Sequence, residues 1–258
     1  GSFGSISQTS ASDLDIWICH QDDLSEQDQQ RLAEKTKKIT QWASTFRVEM
    51  HFYLMTQKRF RNERYSDPLT KENSGSAQYM LLLEEFYRSA VRLAGKPLLW
   101  LHLWVEDEKQ YEAEVARLVA EGELNPNDWV DFGGLGQFSA SEYFGASLWQ
   151  LYKGIDSPYK SVMKILLLET YAQEYPNAHL IARQFKEDLL SGRSTAAHHF
   201  DPYIAILERI SQYLTAHSEF KRLDFVRSCF YVKATEDFAL YHASNWRISY
   251  MKMMAQEW

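Results

Sequence analysis

Alternation of polar and apolar side chains is confined to the first hundred residues of this chain, and the remainder is written in helical period. Strand side chains point to opposite faces in turn, whereas a helix brings its apolar side round every three to four residues or so. DLDIWIC, at 13–19, alternates and then becomes apolar and β-branched, as a strand entering a core does. Residues 24–45 carry Leu32, Ile39, Trp42 and Ala43 among many charges, which predicts an exposed amphipathic helix. RVEMHFYLM, at 47–55, predicts a second strand, with Val48, Met50 and Phe52 on one face and Glu49, His51 and Tyr53 on the other. A polar loop over 62–76, a helix over 76–95 stopped by Gly95, and a third strand over 96–105 follow. From there helical stretches are expected at 107–122, 139–153, 158–174, 178–191, 201–217 and 219–235, with a frayed helix over 236–258. The pattern predicts an α+β fold: a mixed-sheet module over 1–105 and a mainly helical region over 106–258 packed on it.

Bulk composition narrows the function classes. With 45% hydrophobic residues in 258, the chain can bury a sizeable core. A net charge of −7 argues against a broad grip on nucleic acid or an anionic membrane, while leaving room for a small anion site. Cys19 and Cys229 stand far apart with no CxxC pair, which reads as a reduced, cytoplasmic protein. No apolar run approaches the roughly 20 residues of a membrane span, and no signal peptide is expected within these residues, though a targeting segment ahead of them stays open. The chain lacks an initiating Met and opens within a motif, so an N-terminally truncated fragment is expected.

The opening motif raises a question of charge. Asp13 and Asp15 project to the same side of the first strand, where two unpaired carboxylates repel. A divalent cation removes that cost, and hard carboxylate oxygens suit Mg²⁺ or Mn²⁺, which keeps its other positions for water and phosphate. The Gly/Ser run before the pair offers backbone N–H groups and hydroxyls to a phosphate. Glu49, on the second strand, is the candidate third acid of a site for two ions. The plainer alternative makes Asp13 and Asp15 a solvated strand edge and Gly1-Ser2 a cloning remnant.

A triphosphate needs further cations. Arg59 and Arg61 follow the second strand, and Lys160 and Lys164 lie four apart on one helix face, with Pro158 in the first turn and Ser157 as the expected N-cap. The positive end of that helix near Lys160 would favour an anion, while each of these cations taken singly reads as a solvated surface charge. DFGGLGQ, at 131–137, lacks the Lys-Ser/Thr of a phosphate loop and reads as a turn. His198-His199 has no third ligand at metal spacing and reads as an exposed loop. Trp100, Trp104, Trp149 and Trp246 are expected to pack; nothing selects one of them to stack on adenine.

Gly-Ser, a short spacer and Asp-x-Asp together resemble the DNA polymerase β-type nucleotidyltransferase superfamily. SDLDIWICHQ, LLLEEFYRSAVRLAGK, DFGGL, EYFGASLWQLYKGIDSPYKSVMKILLLETYAQEYPN, DPYIAILERISQYL and RLDFVRSCFYVK resemble the class I adenylate cyclases of enterobacteria, over nearly the whole chain. The resemblance implies a polymerase β-like mixed sheet with flanking helices. It also implies conversion of ATP to 3′,5′-cyclic AMP and pyrophosphate, assisted by two Mg²⁺ or Mn²⁺ ions. By that pattern Asp13 and Asp15 match the metal-binding pair, and Glu49 takes the third acid's place by order alone. Gly1 and Ser2, separated from Asp13 by a ten-residue spacer, match the phosphate-holding Gly-Ser, whereas Gly4 and Ser5 leave only seven and fit poorly. Ser12 and Lys160 complete the expected substrate-binding set. Regulatory proteins of the sugar phosphotransferase system are implied as partners, acting through regions absent from this chain. Two other readings stay open: transfer of NMP to a separate hydroxyl, and a non-catalytic nucleotide-binding signalling domain.

Overall fold

The computed structural model describes residues 2–62, 78–136, 138–193, 197–237 and 246–258. The order is β1 (Leu14–Cys19), α1 (Glu26–Thr45), β2 (Met50–Met55), α2 (Gln57–Asn62), α3 (Tyr79–Ser89), α4 (Tyr111–Ala120), α5 (Ala140–Lys153), α6 (Pro158–Gln173), α7 (Ile181–Ser191), α8 (Pro202–Ala216), α9 (Phe220–Thr235) and α10 (Trp246–Glu257). Most of the chain is therefore helical. Among the described residues the sheet has two strands, β1 and β2, parallel and joined through α1. Parallel neighbours need such a crossover, and Ser25 starts it by capping α1 through the Asp28 amide.

The sheet lies between α1, which packs on β2, and the helical remainder. Trp17 seats β1 on that remainder: its ring stacks on Phe86 of α3 at 4.2 Å and meets Phe132 edge-on at 5.8 Å. Pairs of this kind add about 0.5–1.5 kcal/mol each beyond burial. A single buried cluster then runs from Ile6 through Leu83, Trp100, Phe132, Met163, Leu207 and Phe230 to Met251, so both sequence regions share one core. No helix among the described residues is long and apolar enough to cross a membrane.

Several expectations are corrected. Residues 96–105 form no strand: Leu99–Leu101 make one 3-10 turn, and the segment's only ladder contact is a bridge between Leu98 and Val130. Leu99 and Trp100 are buried there for their bulk, Trp100 stacking on Tyr87 at 4.2 Å, and a short apolar run looks the same in a strand as in a buried turn. Among the described residues the sheet is accordingly parallel, not mixed. Helix α3 stops at Ser89, because Ala90 is already extended, and Gly95 serves a later turn at φ +85°. The predicted loop over 62–76 lies outside the described residues beyond Asn62. Ser157 precedes α6 but its side chain makes no capping bond.

The DFGGL segment is a strap, not a phosphate loop. Asp131 Oδ1 accepts from the Tyr111 hydroxyl at 3.1 Å and the Gly133 amide at 2.9 Å, and the Tyr87 hydroxyl donates to the Gly133 carbonyl at 2.7 Å. Gly134 runs so close to Tyr111 that an added Cβ would sit 2.6 Å from that residue's Cβ.

Candidate functional site

Register decides what the acids meet. Leu14 pairs with Met50 and Asp15 with His51, so one step back Asp13 lies beside Glu49. Paired residues of parallel strands share a face. Asp13, Asp15, Glu49, His51 and Tyr53 therefore crowd one side of the sheet's leading end, on the face that Trp17 anchors further along. The Tyr53 hydroxyl donates to Asp15 Oδ1 at a long 3.4 Å. Glu49 stands just before β2 rather than within it, and its side chain is 69% exposed. The need for a partner that a mid-strand acid would have is thus relieved by water and by His51, whose Nε2 lies 2.9 Å from Glu49 Oε1.

The loop ahead of the acids turns inward. Ser2, Ser5, Ser7 and Thr9 are buried, and the Ser2 and Ser12 hydroxyls lie 3.1 Å apart. Ser12 Oγ also accepts from the Thr9 amide at 2.9 Å, and Ser5 Oγ donates to the Ser2 carbonyl at 2.7 Å. Two of the expected substrate-binding residues, Ser2 and Ser12, are thus brought together; Gly1 lies outside the described residues. The loop is held from far along the chain. Asp201 accepts from the Ile6 amide, Asp237 from the Ser10 amide, and Arg247 donates to the Gln8 carbonyl.

Lys160 and Lys164 project from one face of α6 and have different company. Lys164 Nζ donates to both oxygens of Glu85 on α3, at 2.6 and 2.9 Å. Burial pushes the Glu85 carboxyl up, and nearby positive charge, Lys164 foremost and Lys160 with it, outweighs that push, so the carboxyl sits below its ordinary range. Half-buried Lys160 faces Tyr203 of α8, and Tyr203, then Glu85 and Asp13, hold its ammonium above the usual lysine range against the pull of burial. Asp13 and Lys160 therefore feel each other across the gap between sheet and α6. Arg61 is occupied by Glu112 and by Asp131, the latter at 3.4 Å. His199 bonds Asp188 at 2.9 Å in an exposed 3-10 turn.

Among the described residues no three His, Cys, Asp or Glu side chains converge as ion ligands. Asp13 is partly exposed and Asp15 exposed, so a cation could reach both. Two such carboxylates suit a hard divalent ion that draws the rest of its shell from water and phosphate. Glu49 would have to leave His51 to join them. Sequence reasoning missed Glu85, Tyr203 and Asp201. Only Asp201 carries a local signal, an Asp-Pro pair opening a helix.

The family described as adenylate cyclase NT domain matches residues 1–101, and the family described as adenylate cyclase, class-I, second domain matches 138–258. The chain is 75% identical over 258 residues to the adenylate cyclase of Haemophilus influenzae, covering all of this chain and 31% of that protein. It is 62% identical to the adenylate cyclase of Pasteurella multocida over 261 residues, with 100% and 31% covered, and 48% identical to that of Escherichia coli K12 over 259, with 100% and 30% covered. It thus spans about three tenths of the length of these curated relatives. No solved structure matches it.

Proposed function

This chain belongs to the class I adenylate cyclase family, and on that premise we propose that it carries the ATP-cyclising site of a cytoplasmic adenylate cyclase. The observation that carries the reading is the meeting of two carboxylates and a serine loop at one end of a parallel strand pair, with Lys160 within electrostatic reach of Asp13. We read that end as a polymerase β-like nucleotidyl-transfer site, with residues 1–105 supplying the acids and 106–258 the lysine.

The reaction joins the 3′-oxygen of ATP to its own α-phosphorus and breaks the bond to the β-phosphate oxygen. Pyrophosphate leaves, and the hydroxyl proton passes to water. Asp13 and Asp15 would hold Mg²⁺ or Mn²⁺, and Glu49, bonded to His51 in this structure, would be the third acid if a second ion bound. When bound, such ions make the hydroxyl more acidic and neutralise charge on the phosphates. The protein's own contribution is placement. Lys160 sets a fixed ammonium across from Asp13, where a triphosphate needs positive charge. Ser12, and Ser2 beside it, bring hydroxyls to the phosphate side of the acids. The polar edge and the buried loop together fix the nucleotide so that the attacking oxygen is already near its target.

The test is product analysis of the full-length polypeptide with ATP and Mg²⁺ or Mn²⁺, beside an Asp13→Asn/Asp15→Asn control. Cyclic AMP and pyrophosphate, falling at least about a hundredfold in the control, are expected. A nucleotide monophosphate attached to another acceptor would replace cyclisation by transfer. Undiminished cyclic AMP in the control would remove the acids from the site.

A further inference from the structure

We infer that Asp201 is a positioning residue for the substrate site: one of its carboxylate oxygens caps α8, and the other holds the Ser2–Ser12 loop in place. The inference rests on the reading of that loop as part of the ATP site. Asp201 Oδ1 accepts from the Tyr203 amide at 2.9 Å and the Ile204 amide at 3.1 Å, which are the free N–H groups of the helix start. Its Oδ2 accepts from the Ile6 amide at 2.6 Å, a bond between residues 195 apart in sequence.

Capping alone does not require this arrangement. An N-cap needs a single side-chain oxygen, and Ser or Asn serve as well as Asp. Here the carboxyl is 5% exposed, and Ile6 is fully buried. The Ile6 N–H therefore has no water to turn to if Oδ2 is lost, and an unmet buried donor costs more than the bond itself contributes. Only a side chain with two acceptor oxygens satisfies both partners. Two residues on, Tyr203 faces Lys160.

Asp201→Asn separates the two duties. The amide oxygen stays with the two helix N–H groups, which leaves an NH2 against the Ile6 N–H, donor facing donor. Asp201→Ser keeps a capping hydroxyl and removes the second oxygen. Hydrogen exchange on the full-length polypeptide should show faster exchange at Ile6 and its loop neighbours in both variants, with α8 still protected. In the same variants kcat/KM for ATP should fall at least about tenfold, chiefly through KM, as expected for a lost charged hydrogen bond. Unchanged exchange at Ile6 in both variants would overturn the anchor. Faster exchange with unchanged KM would overturn its link to the site. If the parent makes no cyclic AMP, the functional reading fails separately and ATP affinity replaces KM: weaker binding in both variants upholds the inference, and equal binding or none overturns it.

Discussion

Two charged places in this molecule lie close together and differ in how completely they are paired. Between α3, α6 and α7 sits a closed layer. Glu84 pairs with Arg88, and its other oxygen accepts from the Tyr171 hydroxyl and the Ala182 amide, both at 3.1 Å. Lys164 closes on Glu85 beside it. Every one of these charges has a charged partner within the protein, as burial demands. At the leading end of the sheet the acids are open: Asp15 and Glu49 face solvent, and their protein contacts are a long bond from Tyr53 and one from His51. Stability depends on the first set being complete. On the proposed reading, the second keeps room for a ligand. Lys160 stands at the border, on the helix of the closed layer but within the electrostatic reach of Tyr203, Glu85 and Asp13.

The comparison breaks most sharply at Arg88, whose side chain is 5% exposed. Arg88→Met leaves Glu84 buried without its counter-charge and should lower unfolding free energy by about 3–5 kcal/mol, read from the urea midpoint. Glu84→Gln in the same chain should recover part of that loss. If Arg88→Met is as stable as the parent, the closed layer is not what holds these helices. A smaller effect sharpens the contrast on α6 itself. Lys160→Met should keep the fold and raise KM for ATP about tenfold, as for one lost charged contact. Lys164→Met should destabilise instead, by orphaning Glu85. Equal losses of stability in the two lysine variants would erase the distinction between border and layer.

The part of this that could be read in the sequence follows from range. β1 and β2 are written in their own alternation, and α1 in its Ser25 cap and apolar spacing. Asp13 and Asp15 sit in a local motif and Lys160 in a segment that resembles the family's, so the sequence nominates them as candidates. The supposed strand over 96–105 misled because Leu99 and Trp100 are apolar for the sake of the core and not of a sheet. Glu49 misled by a single step: Arg47 at φ +60° turns the chain, and the strand begins only at Met50. The Asp201–Ile6 bond and the Lys164–Glu85 pair join positions with no shared period or motif. Such pairings are products of helix packing, and local pattern carries no trace of them.

The smallest effect expected lies within the closed layer and is one of pH. In the fold the Glu85 carboxyl is lowered to about 2 from an ordinary 4.5, against burial and chiefly by Lys164. A carboxyl held down in this way stabilises the fold fully above its unfolded value, and the contribution fades as pH falls toward the folded one. Glu85→Gln removes the titrating group and leaves Lys164 buried beside a neutral amide, so the variant should be less stable than the parent at pH 7. Below 4.5 the parent begins to lose what the variant never had, and the gap between their urea midpoints should narrow steadily toward pH 3. The comparison of parent with variant cancels the many surface acids that titrate in the same window in both. A gap that holds constant from pH 7 to 3 would mean that Glu85 is not held ionised by Lys164, and the layer would then be closed by hydrogen bonds alone.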